Sequence, residues 1–226
     1  MMSEALQSTD AGSLSLGNLE YNRLEGLLQG KSVLAMGPGL STHVETQQFV
    51  RRVIAECPLP IILDADGLNA FAGRADELKA RNSSALAVTP HPGEMARLCG
   101  CATERVQAQR LELALEKAAA WNAFVILKGY RTVVAAPDGR AFINSTGNPG
   151  MATGGTGDVL TGILAGLTAQ LGTADWARAL SLGVYLHGLA GDLAAARVGE
   201  IPLIASDLIH ALPEAFHRTL DETAHG

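Results

Sequence analysis

Asn144-Ser-Thr-Gly-Asn-Pro-Gly-Met-Ala-Thr-Gly-Gly-Thr-Gly-Asp158 runs straight into an apolar, helical-looking segment, Val159 to Gln170. Five glycines lie in it, Gly147, Gly150, Gly154, Gly155 and Gly157. Glycine has no Cβ, so its backbone folds tightly and approaches a ligand closely. A helix that starts just after such a loop aims unpaired N–H groups and the positive end of its dipole at whatever sits there. Phosphate is the usual guest. Gly154, Gly155, Thr156 and Gly157 therefore read as an anion cradle for a nucleotide. Asp158 stands at the helix start, where it serves either as a capping carboxylate or as a general base. The loop is not a Walker loop, because Asp158 stands where Lys is required. It also lacks the position and spacing of a dinucleotide fingerprint.

Upstream, short apolar runs alternate with helical stretches. Lys31–Met36, Pro60–Asp64, Ala85–Thr89 and Ala123–Leu127 read as buried strands. Helices are expected at Leu19–Leu28, Val44–Glu56 and Thr103–Asn122, then near 158–170, 175–197 and 206–219. Thr132–Ala136 and Arg140–Ile143 flank Pro137-Asp138-Gly139, a hairpin signal. Such alternation predicts a three-layer α/β/α fold around a mainly parallel sheet. Residues 1–17 are polar and aperiodic and are expected to be loosely ordered, with a single domain over 18–226.

In such sheets ligands bind beyond the carboxyl ends of the strands. Gly37-Pro38-Gly39, Asp64/Asp66/Asn69, His91/Glu94, Lys128/Thr132 and Gly157/Asp158 all fall at strand ends or the loop, so one large site is expected. His91, stiffened by Pro90 and Pro92, is either a turn histidine or a donor to phosphate or carboxamide. Glu94 is either a first-turn helix carboxylate or a Mg²⁺ holder acting through water. Lys128 is either an ordinary strand-end lysine or, with Gly129 and Thr132, a phosphate or ribose contact. His187 reads as a packed core residue.

The chain has 226 residues, 47% of them hydrophobic and only 4% aromatic, with net charge −6. That supports one sizeable aliphatic core and argues against nucleic acid and anionic membranes. No apolar run approaches the length of a membrane span, and the N-terminus lacks signal-peptide features. Cys57, Cys99 and Cys101 read as reduced thiols, so a cytoplasmic protein is expected. No zinc-site spacing and no nucleophile elbow occurs.

With Gly37-Pro-Gly39, Asp64-Ala-Asp-Gly-Leu-Asn69, Thr89-Pro-His-Pro-Gly-Glu94, Lys128-Gly129 with Thr132, and Gly154-Gly-Thr-Gly-Asp158 in order, the chain resembles the ADP/ATP-dependent NAD(P)H-hydrate dehydratases. The resemblance runs from about Gly12 to about Arg218. It implies a ribokinase-like fold and a metabolite-repair lyase. The substrate implied is NADHX or NADPHX, phosphorylated on its ring hydroxyl by ADP or ATP with Mg²⁺, then relieved of phosphate. It implies hydrate contacts at Gly39, His91 and Asp158, nucleotide contacts at Lys128, Gly129, Thr132 and Gly157, and a homotetramer. Two alternatives stand beside it: a small-molecule alcohol kinase of the ribokinase-like superfamily, and a nucleotide-binding but inactive fragment. The family turn ends in glycine where this chain has Ser41. The family domain also begins upstream of Met1, so the chain is expected to be a fragment, to have a mis-assigned start, or to be a shortened form.

Overall fold

The structure, a computed structural model, describes residues 3–21 and 23–224. Its frame is one six-stranded sheet in sequence order. Strands β1 (Leu34–Met36), β2 (Ile61–Leu63), β3 (Leu86–Val88) and β4 (Phe124–Leu127) are parallel. Strands β5 (Val133–Ala135) and β6 (Ala141–Ile143) complete the sheet as an antiparallel hairpin. Each parallel strand is three or four residues long and lies within the longer run that predicts it.

Alternation along the strands divides the core. Leu63, Val88, Leu127 and Val133 join one apolar cluster with Phe49, Leu68, Met95 and Trp121. Ile62, Ala87, Ile126 and Val134 face the other way, against Leu160, Leu164, Leu180 and Val184. A period of two on a sheet covered on both faces produces this split. The first face carries α1 (Arg23–Leu28), α2 (Val44–Glu56), α3 (Ala65–Asn69), α4 (Pro92–Cys99), α5 (Thr103–Ala108) and α6 (Arg110–Trp121). The second carries α7 (Thr156–Leu171) and α8 (Trp176–Val198), with α9 (Ala205–Ala224) packed behind them. α8 has 23 residues and is apolar enough to cross a membrane by length and composition, but 56% of its apolar window is buried inside this protein. It behaves as a core helix.

Two helix bounds expected from the sequence are corrected. The expected helix at Leu19–Leu28 is a 3-10 turn (Leu16–Leu19) followed by α1, and Tyr21 between them has φ +53. The expected helix at Thr103–Asn122 breaks at Gln109, whose φ of −129 and ψ of 42 are not helical. No proline or glycine marks that break; it sets Arg110 at the start of α6, where its Nη2 donates to the carbonyls of Leu127 (2.9 Å) and Lys128 (3.2 Å). The polar strand ends after β2 and β3 are helices, α3 and α4. Within the segment expected to be loose, Gln7 N donates to Asn18 Oδ1 (2.7 Å) and Ser15 Oγ to Glu45 Oε1 on α2 (2.6 Å).

Candidate functional site

The site begins where β1 and β2 end. Gly37 has φ +143, and a Cβ on it would fall 1.7 Å from the Asp64 carbonyl oxygen. Only glycine lets the two strand ends close to this distance. Asp64 follows β2 in extended conformation and is 1% exposed. Its Oδ1 accepts from Lys128 Nζ at 2.7 Å and its Oδ2 from Thr161 Oγ1 at 2.9 Å. A buried carboxylate without such partners would cost several kcal/mol. Lys128 follows β4, and Thr161 lies on α7, so this carboxylate ties the two strand ends to the helix on the far face.

Lys128 Nζ also lies 3.8 Å from Glu94 Oε2. Glu94 and His91 form a capping box at the start of α4. His91 Nδ1 accepts from the amides of Gly93 (3.0 Å) and Glu94 (3.4 Å), and Glu94 Oε2 accepts from the His91 amide (2.8 Å). An accepting Nδ1 puts the proton of the neutral ring on Nε2. Half of the His91 side chain is exposed, with Nε2 3.4 Å from Glu94 Oε1. Glu94 is buried, its carboxylate accepting from the His91 amide at the start of α4 and lying near Lys128, the first-turn position that the sequence also offers for it. Among the described residues no three His, Cys, Asp or Glu side chains converge on a metal position.

Beside β4, Gly129 has φ +124 and Thr132 Oγ1 donates to its carbonyl at 3.1 Å, closing the turn. At the other end of the rim, Gly39 has φ +73 and an open environment. Ser41 has φ +78, a left-handed conformation that favours glycine. Its amide donates to Asp66 Oδ2 at 2.9 Å; Asn69 Nδ2 donates to Asp66 Oδ1 (3.2 Å) and Arg97 Nε to Asn69 Oδ1 (3.1 Å). The Asp66 and Asn69 side chains thus brace the turn that carries Gly39.

The glycine loop enters α7 through Gly155, the N-cap, at φ +87 and without a side-chain cap. The amides of Gly154, Gly155, Thr156, Gly157 and Asp158 find no acceptor among the described residues; the first helix bond runs from Val159 N to Gly155 O. Thr156 turns its hydroxyl inward, to the carbonyls of Met151 (2.8 Å) and Thr153 (2.9 Å), and so offers a ligand only its backbone. A Cβ on Gly157 would lie 3.4 Å from Lys128 Nζ and 3.8 Å from Asp64 Oδ2, so the first turn of α7 meets the strand-end cluster directly. Asp158 is exposed, and its carboxylate has no hydrogen bond or ion pair among the described residues. It lines a cavity of about 540 Å³ between α7 and α9 with Val159, Gly162, Ile209 and Phe216.

His187 is more than packing. Its Nε2–H donates to the Thr156 carbonyl at 2.8 Å, pinning the first turn of α7 to α8. Burial pushes its pKa down to about 4, with the Lys128 charge adding to the effect and the Thr156 bond opposing it. Lys128, His91, Glu94 and Gly157 thus come together as the sequence predicts. Among the described residues no side-chain hydrogen bond or ion pair joins Thr132 or Gly39 to them. Thr161, Arg110 and Asp192 went unread. A threonine inside an apolar helix is the one signal among these that could have been found.

Comparisons with known proteins show which family the chain belongs to. The family model for NAD(P)H-hydrate dehydratase matches residues 14–214. The chain is 47% identical over 222 residues to a bifunctional NAD(P)H-hydrate repair enzyme of Moorella thermoacetica, covering 98% of this chain and 41% of that protein. It is 38% identical over 186 residues to the ADP-dependent (S)-NAD(P)H-hydrate dehydratase of Bacillus subtilis, covering 82% of this chain and 64% of that one. The solved structure of the ADP/ATP-dependent NAD(P)H-hydrate dehydratase from Bacillus subtilis, co-crystallized with ATP/Mg²⁺, superposes with a TM-score of 0.73 at 33% identity, over 87% of this chain and 70% of that one. The chain thus spans about two fifths of the bifunctional relatives. The matched range includes the strand ends and the glycine loop, and the chain belongs to the NAD(P)H-hydrate dehydratase family.

Proposed function

We propose that this chain restores NADH and NADPH from NADHX and NADPHX, using ADP or ATP. The observation that carries the reading is the state of Asp158: exposed, unpartnered, and one residue from the free amides of the glycine loop. A carboxylate held by neighbours is structural; one left open beside an anion cradle is available to a substrate. In the proposed reaction Asp158 takes the proton of the ring hydroxyl. The hydroxyl oxygen attacks the terminal phosphorus, and the bond from that phosphorus to the rest of the nucleotide breaks. The loop amides and the α7 dipole hold the phosphoryl oxygens as charge develops. The carbon–oxygen bond then breaks, phosphate leaves with the electron pair, and loss of a ring proton restores the double bond. Phosphate leaves far more readily than hydroxide. Mg²⁺, carried on the phosphates, neutralises their charge. His91, whose side chain is half exposed, and Gly39 are proposed to meet the hydrate. Three unpaired thiols fit a reducing compartment, which supports a cytoplasmic assignment.

The test is incubation of the chain with NADHX, ADP and Mg²⁺. NADH and phosphate are expected in equal amounts. A stable phosphorylated product without NADH would contradict the proposal and favour an alcohol kinase, and binding of neither ADP nor ATP would contradict it outright.

A further inference from the structure

The glycine loop has one short 3-10 turn, Pro149–Met151, and otherwise no regular structure. Five glycines make its backbone costly to order. It is nevertheless held, and the holding surface is one strip of α8. Gly188 lies under Thr146: a Cβ there would fall 2.2 Å from Thr146 Oγ1 and 2.8 Å from its backbone. Gly191 lies under Met151, with a Cβ 2.2 Å from the sulfur. Thr146 Oγ1 donates to the Tyr185 carbonyl at 2.9 Å. Asp192 completes the strip. Its Oδ2 accepts from the Gly147 amide at 2.8 Å and its Oδ1 from Asn148 Nδ2 at 2.9 Å. That bond orients the Asn148 amide, whose Oδ1 accepts from Gly150 N at 3.1 Å and starts the 3-10 turn.

Both partners of Asp192 are donors. Only a side chain with two acceptor oxygens meets both, and an amide offers one acceptor and one donor group. Bonds to an ionised acceptor are also the stronger kind. The loop's far end is held separately, through Thr156 Oγ1 on Met151 and Thr153 and His187 on Thr156. Asp192 therefore holds the entry to the loop, while Thr156 on α7 and His187 on α8 hold its exit. Donors aimed at a phosphate act best when they need no reorganisation as it binds.

We propose that Asp192 is the positioning residue of the glycine loop, its carboxylate holding Gly147 and Asn148 so that the amides of Gly154 to Gly157 stand ready for a nucleotide phosphate. The inference rests on the functional reading above and adds to it a residue on a different helix. The test compares Asp192→Asn and Asp192→Ala with the parent chain. Hydrogen exchange of the Gly147 amide needs no ligand and is expected to rise about tenfold or more in both variants. ADP affinity by calorimetry is expected to weaken about tenfold, as loss of one charge-assisted bond implies, with the loss appearing in KM for ADP rather than in kcat. Asp192→Asn keeps the volume and one bond, so it carries the test if the alanine variant does not fold. Unchanged exchange at Gly147 would overturn the inference, as would raised exchange with unchanged ADP affinity. A parent chain that binds no ADP would overturn the functional reading and this inference together; a variant matching a binding parent overturns this inference alone.

Discussion

Asp64 and Asp158 stand on the same rim, one at the end of β2 and the other in the first turn of α7, and the protein treats them in opposite ways. Asp64 is 1% exposed and both its oxygens are taken, by Lys128 and Thr161. Asp158 is exposed and has no partner among the described residues. Burial makes pairing compulsory, because an unpaired carboxylate away from water is far more costly than a paired one. Exposure at a helix N-terminus makes pairing unnecessary, because the dipole already favours the negative charge. An aspartate at a strand end is therefore no sign of chemistry in itself. What distinguishes the two is whether the neighbours have used up the oxygens.

The strongest way to break this contrast acts on the structural side. Lys128→Ala leaves Asp64 buried with only Thr161 as partner, and breaking a buried pair from one side costs about 3–5 kcal/mol. Urea denaturation should show that loss. Adding Asp64→Asn, which removes the orphaned charge, should recover part of it. A loss below about 1 kcal/mol would mean that Asp64 relaxes to water as freely as Asp158.

A smaller effect tests the anchor on the other side of the loop. His187 titrates near 4 in the native protein because it is buried, against an ordinary value of 6.5. The folded value is depressed, so the unfolded chain takes up the proton first as pH falls. Stability tied to His187 is complete above 6.5 and declines down to about 4, at about 1.4 kcal/mol per pH unit, to a total of roughly 3 kcal/mol. His187→Gln should lack this part of the acid loss. Carboxylates such as Glu45 and Glu214 are also held low and lose stability in acid, so the difference between parent and variant is the quantity to measure. Parallel acid curves for the two proteins would remove the histidine from the account.

The smallest effect sharpens the picture at the turn that carries Gly39. Ser41 holds φ +78 where glycine is at ease. Ser41→Gly should gain about 0.5 kcal/mol, the relief of strain offset by greater freedom in the unfolded chain and by the lost bond from His43 N to Ser41 Oγ at 3.2 Å. A lower melting temperature would show that this hydroxyl outweighs the backbone strain.

Much of this was legible in the sequence. The apolar runs and the Asp138-Gly139 turn mark β1 to β6, and α2 matches its expected bounds. The gathering of Lys128, His91, Glu94 and Gly157 follows from strand ends converging in a parallel sheet. What was hidden has physical causes. α3 starts after Asp64 with no side-chain cap bond, and α4 starts with a capping box whose cap is histidine, an unusual residue there, so neither start stands out in the sequence. The break at Gln109 is imposed by tertiary bonding of Arg110 and has no local mark. Glu94 was left between helix and metal because only burial and partners separate the two. Asp192 lies 44 residues from its partner Asn148, and no periodicity connects them.

Asp158→Asn tests the central claim most directly. The substitution keeps shape and exposure but cannot take a proton at neutral pH. Because Gly155, not Asp158, caps α7, no structural bond is lost. NADHX turnover with ADP and Mg²⁺ should fall by about 10²–10⁴, while urea denaturation stays within about 0.5 kcal/mol of the parent and ADP still binds. Turnover within about threefold of the parent, with folding and binding intact, would leave Asp158 as spare surface charge and contradict the account.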